Sequence, residues 1–158
     1  MLILPREFTI LLVSMVKYLK VTNDGLQKLS RVAIHKLVQD LKSNLHLDIS
    51  SLLINFIKNK DIVEINSKYL DHKSSTDIIT FDYSGDNLSI DGELFISYEE
   101  AELNAKRYSV KTEEEITRLI IHGVLHLIGY DDKAKSDKLV MKRLENKLLK
   151  KYKYHLIR

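Results

Sequence analysis

The chain has 158 residues, of which 44% are hydrophobic and 30% charged, with a formal net charge of +3. This is the size and apolar content of one ordinary domain, expected to span residues 1–158. With no cysteine, a disulfide framework and any thiolate metal site are excluded, so a bound metal has only imidazole and carboxylate to hold it, and a reducing, cytoplasmic setting suits the composition.

The opening MLILPREFTILLVSMVKYLKV is apolar, but Pro5, Arg6 and Glu7 interrupt it, and Phe8 to Val16 is its longest uncharged stretch. That is too short to span a membrane, which takes about 20 residues, and it lacks the basic start and small-residue cleavage site of a signal peptide. Its β-branched and aromatic residues predict a buried strand. Thr22 to Gly25 is turn chemistry, after which Leu26, Leu29, Val32, Ala33, Leu37 and Leu41 recur at helical spacing as far as Lys42. Leu52 to Ile57 reads as a buried strand, and Asp61 to Tyr69 as a short helix started by Asn59 or Asp61.

Asp77 to Tyr83 and Leu88 to Ser97 read as two strands joined by the turn residues Ser84 to Asn87, an antiparallel hairpin. Glu99 to Tyr108 predicts a helix. Thr112 with Glu115 forms a capping-box pattern, and Ile116, Leu119, Ile120 and Leu127 mark a buried stripe. Gly129 follows where a left-handed C-terminal cap belongs, which predicts a helix over 113–128. Leu139, Leu144 and Leu148 carry a last amphipathic helix toward Tyr152. Residues 133–158 hold ten Lys or Arg against two acids, whereas residues 1–132 hold fifteen against twenty. A basic helix of this kind is either solvated surface or a polyanion-binding face.

His122 and His126 are four apart on the predicted helix and lie on one face, a spacing that suits two ligands of one ion. Gly129 lets the chain turn back toward that face and delivers Asp131 and Asp132 beside it. Two histidines and a carboxylate with an open position are an established set for catalytic Zn²⁺, and Ni²⁺, Mn²⁺ or Co²⁺ also accept such ligands. Asp132 is therefore either the third ligand or the N-cap of the last helix. Asp131 reads as a turn residue bonded to local backbone, and Arg118 as a surface ion pair. His35, His46, His72 and His155 have no ligand spacing. Gly123 stands where the HExxH metalloprotease motif has its glutamate base, so proteolysis of that kind is not expected.

HGVLHLIGYDD, at His122 to Asp132, resembles the signature HGxLHLxGYDH of the YbeY family of metal-dependent endoribonucleases. TDIITF at Thr76 to Phe81, preceded by Asn66 and Tyr69, resembles the family's TDVLSF strand, and GELFIS at Gly92 to Ser97 is similar to its next strand. The resemblance implies a zincin-like α+β domain with a small mixed sheet of about four strands flanked by helices. It makes His122 and His126 metal ligands and puts Asp132 in the place of the family's third histidine. A carboxylate there lowers the charge of the site, so water bound to the metal is expected to be a weaker acid than at three histidines. Leu70 stands where the family has an arginine, so no role of that arginine carries over. Lys68, His72 and Lys73 lie near it in sequence, and Ser75 replaces a proline.

The implied activity is cleavage of single-stranded RNA in ribosomal RNA maturation, near the 3′ end of the small-subunit RNA, and in ribosome quality control. Partners would be ribosomal RNA and ribosomal proteins or assembly factors, with no membrane. The rival readings are a ribosome-assembly factor that binds RNA or protein around a structural metal, and a metal-dependent hydrolase of another small substrate.

Overall fold

β-branched and aromatic side chains concentrate in four segments, and these pair into one sheet. The computed structural model describes residues 18–24, 29–70, 74–85, 89–153 and 155–157, so of the opening stretch read as a strand only its end, from Tyr18 to Val21, is described, and there Leu19 to Val21 are in a strand. In chain order the elements are β1 (Leu19–Asn23), α1 (Arg31–Asn44), β2 (Asp48–Ile57), α2 (Asn59–Tyr69), β3 (Ile78–Asp82), β4 (Ser89–Ser97), α3 (Tyr98–Tyr108), α4 (Thr112–Leu127) and α5 (Lys135–Lys151). The sheet order is β1-β2-β4-β3. β1 and β4 both run parallel to β2, with Val21 opposite Ile54 and Ile54 opposite Leu94. β3 returns antiparallel on β4, with Thr80 opposite Leu94. The class is α+β, a four-stranded mixed sheet flanked by helices, as expected.

Alternation along β4 sends Ile90, Leu94 and Ile96 into the core together with Leu52, Ile54 and Phe56 of β2, all essentially inaccessible. α4 lies over this face, and Gly123 is what brings it close. A Cβ built there would stand 2.6 Å from Leu94 Cδ2 and 3.0 Å from Ile78 Cδ1. The helix that carries the two histidines is thus seated directly on β3 and β4. Among the described residues, no helix is long and apolar enough to cross a membrane.

Several local expectations are corrected. α1 starts at Arg31 rather than near Leu26, because the Ser30 hydroxyl accepts the Ala33 N–H at 3.3 Å and caps it. Leu29 is instead bridged to Ile157, and Val32 is 71% exposed, leaving Ile34, Leu37, Val38 and Leu41 as the buried stripe. β2 begins at Asp48, four residues earlier than its apolar run, since pairing with β4 draws the polar start in and Ser50 Oγ donates to the Ile90 carbonyl at 2.9 Å. The capping box at Thr112 does not form: Lys111 is the N-cap, with no side-chain bond, and Glu115 is buried within the helix. In α5, Leu139 is half exposed, and the buried positions are Met141, Glu145 and Leu148. Packing against α4, through Glu145, sets that phase.

Candidate metal centre

The geometry starts at the end of α4. Gly129 takes φ +96°, its N–H bonds the His126 carbonyl at 3.0 Å, and the Tyr130 N–H bonds the Leu125 carbonyl at 3.1 Å. Those two bonds are the paired closure of a Schellman turn, which reverses the chain over the last helical turn. The reversal places the Tyr130 carbonyl 2.9 Å from His126 Nδ1. Two residues on, the Asp132 carboxylate oxygens stand 3.9 Å from His122 Nε2 and 3.8 Å from His126 Nε2. Asp132 does not cap α5, whose N-cap is Ala134 without a side-chain bond. Asp131 does what a turn aspartate does: its Oδ1 accepts the N–H of Asp132 at 2.7 Å and of Lys133 at 3.3 Å, and the first of these bonds chiefly holds its carboxyl below the ordinary range.

The two rings meet edge to face with Nε2 to Nε2 at 3.0 Å. Each ring's other nitrogen has an acceptor: the Tyr130 carbonyl for His126, and Glu145 Oε1, at 2.6 Å, for His122. A neutral imidazole carries one proton, and both acceptors claim it at Nδ1. With the Nδ1 protons so placed, the two Nε2 atoms face each other at 3.0 Å with a carboxylate beside them, a place that suits a shared proton or a cation. His122, His126 and Asp132 form a group that could hold a metal ion, their ligand atoms all within 4.8 Å of one another. A tetrahedral ion with bonds of about 2.0–2.1 Å sets neighbouring donors roughly 3.3 Å apart. The observed separations of 3.0, 3.8 and 3.9 Å bracket that value, so the residues fit such an ion.

Sequence reasoning missed Glu145. It is 8% exposed, and its second oxygen lies 3.5 Å from Arg118, whose guanidinium also reaches Glu115 at 3.8 Å and Asn146 at 3.0 Å. Arg118 is thus the ion-paired residue expected, but its partners belong to the site. One signal in the sequence could have found Glu145: it is an acid in a basic helix, on the apolar stripe between Met141 and Leu148. Burial pushes the His122 imidazole down, but the Glu145 hydrogen bond and charge outweigh it, with Asp132 and Asp77 adding, so its net pKa is raised. Beside the group, α3, α4 and α5 enclose a cleft of about 540 Å³ reached by His122 and Asp132.

Of the other described histidines, His35 and His46 belong to α1 and the turn after it, and His155 lies 3.8 Å from Glu113, apart from the centre; His72 and Lys73 fall outside the described residues. Leu70, 45% exposed, ends α2, and Lys68 sits over the Tyr69 ring with 5.1 Å to its centroid. Among the described residues, neither Lys68 nor Leu70 nor any of these histidines lines the cleft.

An α+β domain with two histidines on a buried helix and a carboxylate delivered by its C-terminal turn holds a group that could bind a metal ion. The sequence model of the family described as Endoribonuclease YbeY matches residues 14 to 153. The chain belongs to that family, whose named members are hydrolytic nucleases. The Endoribonuclease YbeY of Chlorobium limicola is 37% identical over 134 residues, covering 85% of this chain and 92% of its own. That of Azobacteroides pseudotrichonymphae is 47% identical over 96 residues, 61% of this chain and 68% of its own. Among solved structures, the solution structure of TM1509 from Thermotoga maritima shares the fold, with a TM-score of 0.57 and 21% identity over 84% of this chain and 90% of that one.

Proposed function

We propose that the chain, as one domain over residues 1–158, is a metal-dependent endoribonuclease specific for single strands, holding one Zn²⁺ through His122, His126 and Asp132. Its role is ribosomal RNA maturation at the 3′ end of the small-subunit RNA, and ribosome quality control, in the cytoplasm with ribosomal RNA and assembly partners. The observation that carries the metal reading is the convergence of the two Nε2 atoms, 3.0 Å apart, with the Asp132 carboxylate. Family membership carries the substrate class.

A divalent ion bound there supplies Lewis acidity toward a phosphoryl oxygen and acidifies water at neutral pH. The chain's own residues prepare that chemistry. Glu145 and the Tyr130 carbonyl keep the ring protons at Nδ1, so both Nε2 atoms stay available as donors. Arg118 offsets the charge of Glu145 and Glu115, both buried. Gly123, where a zincin has its glutamate base, is packed against Leu94 and contributes no proton acceptor.

Incubation with a defined single-stranded RNA separates the readings. The wild-type chain loaded with zinc is expected to cleave it internally, and His126→Ala to lose the cleavage while keeping its circular dichroism. Equal cleavage by both contradicts the metal reading, and RNA binding without cleavage in the wild type favours the assembly-factor role. Exchanging Asp132 for histidine raises the charge of the site and is expected to move the pH–rate profile to lower pH; an unmoved profile contradicts the charge argument.

A further inference from the structure

The outer side of α5 carries more positive charge than the fold uses. Lys135, Lys138, Lys142, Arg143, Lys147 and Lys150 are all exposed, and among the described residues none of them has a carboxylate within ion-pair distance. Lys151, by contrast, is tied to Asn44 and to the Tyr152 ring. The two acids of the helix are occupied: Glu145 by His122 and Arg118, and Asp137 by the Ser136 hydroxyl. Such a row costs self-repulsion, and it neutralises nothing inside the molecule.

Its placement is specific. Lys138 and Lys142 line the cleft that His122 and Asp132 enter, while Arg143, Lys147 and Lys150 line a shallow groove further along the helix. Asn146 borders both, so the cationic edge is continuous from the metal centre outward. Lys138 to Lys150 spans about 18 Å at 1.5 Å per residue. Four acids line the cleft: Glu115 and Glu145 share Arg118, Asp77 accepts the Asn104 amide at 2.9 Å, and Asp132 belongs to the metal group, so the cleft's exposed cations stand on its α5 rim, at Lys138 and Lys142. The cleft's other wall, α3, offers the ring of Tyr108, 62% exposed. A flat aromatic surface across from a row of cations is the pairing that holds single-stranded nucleic acid: phosphates along the cations, a base on the ring.

We infer that single-stranded RNA enters the metal centre along α5, its phosphates held by Lys138 and Lys142 at the cleft and by Arg143, Lys147 and Lys150 beyond it, with a base stacked on Tyr108. This rests on the nuclease reading for its ligand, but it is tested by binding alone. The probe is a fluorescent single-stranded oligoribonucleotide. The readout is its anisotropy with His126→Ala protein, which lacks a zinc ligand and is expected to leave the probe uncut, from about 50 to about 200 mM salt, where counterion release dominates the change in affinity.

Arg143→Gln/Lys147→Gln/Lys150→Gln is expected to weaken binding about tenfold or more at the low-salt end. It should also flatten the plot of log affinity against log salt by about 0.7 for each phosphate no longer neutralised, so by about 2. Tyr108→Ala is expected to cost about tenfold, with Tyr108→Phe restoring it. An unchanged affinity and salt slope in the triple variant overturns the path. So does poly-glutamate binding as tightly as RNA with no effect of Tyr108→Ala, which would make the helix a face for an acidic protein. Cleavage by wild type with an unaffected triple variant removes this inference and leaves the nuclease reading. Tight, slope-dependent binding without any cleavage does the reverse.

Discussion

Glu145 is the residue on which the state of His122 depends. Its Oε1 is 2.6 Å from His122 Nδ1, and a carboxylate in that position fixes the ring's tautomer and strengthens Nε2 as a ligand. Glu145→Ala is expected to lower zinc affinity about 10- to 100-fold, read by competition with a chelating dye, while Glu145→Gln, whose amide oxygen still accepts the Nδ1 proton, should lose less. Equal affinity in the wild type and the alanine variant would contradict the assignment. Glu115 makes a different prediction. Burial pushes its carboxyl up from the ordinary 4.5, Arg118 opposes that, and the charges of Asp77, Glu145 and Glu114 add to the rise. The folded state then keeps a proton that the unfolded chain has already released. The resulting stability is present below pH 4.5 and is lost as pH rises through the folded value. Glu115→Gln removes this loss, so urea denaturation at several pH values should show the variant's stability rising relative to the wild type from pH 4.5 upward. A difference between the two that is constant with pH would refute it.

At the scale of elements, α4 is held by what Gly123 lacks. A methyl there meets the side-chain ends of Leu94 and Ile78, both in the sheet, and Leu94 is fully buried, so its end must repack within the core. Overpacking of this kind costs about 1–3 kcal/mol, and the better helix propensity of alanine returns up to about 1 kcal/mol. Gly123→Ala should therefore lower the urea midpoint by the equivalent of about 1–2 kcal/mol; an unchanged or raised midpoint would show that α4 does not press on the sheet there. The corner after α4 is legible in the sequence because its causes are local: a 3.6-residue stripe, a glycine at the cap and an aspartate three residues on. The β3–β4 hairpin is legible for the same reason. The parallel pairing of β2 with β1 and β4 is not, since strands of similar apolar character choose neighbours through the helices that cross between them. Glu145 lies 23 positions from His122, so only tertiary packing reveals their hydrogen bond. The capping box at Thr112 misleads because the local pattern competes with the burial of Glu115, and burial wins.

For the whole molecule, folding brings two imidazole Nε2 atoms and a carboxylate together, and a cation bound there would change the energy of that state alone. The unfolded chain has no such site, so metal affinity is linked to stability. Free zinc at about 100 times its dissociation constant adds about 2.7 kcal/mol. In a chain of 158 residues, each kcal/mol moves the melting temperature by about 2–4 °C. Stripping the protein with a chelator and restoring zinc is thus expected to raise the Tm by about 5–10 °C. The same addition should leave His122→Ala/His126→Ala almost unmoved, because Asp132 alone cannot hold the ion. Scanning calorimetry of both proteins, with and without zinc, distinguishes the outcomes. A Tm indifferent to zinc, or one that climbs equally in the double variant, means that the three donors meet for structural reasons and hold no metal.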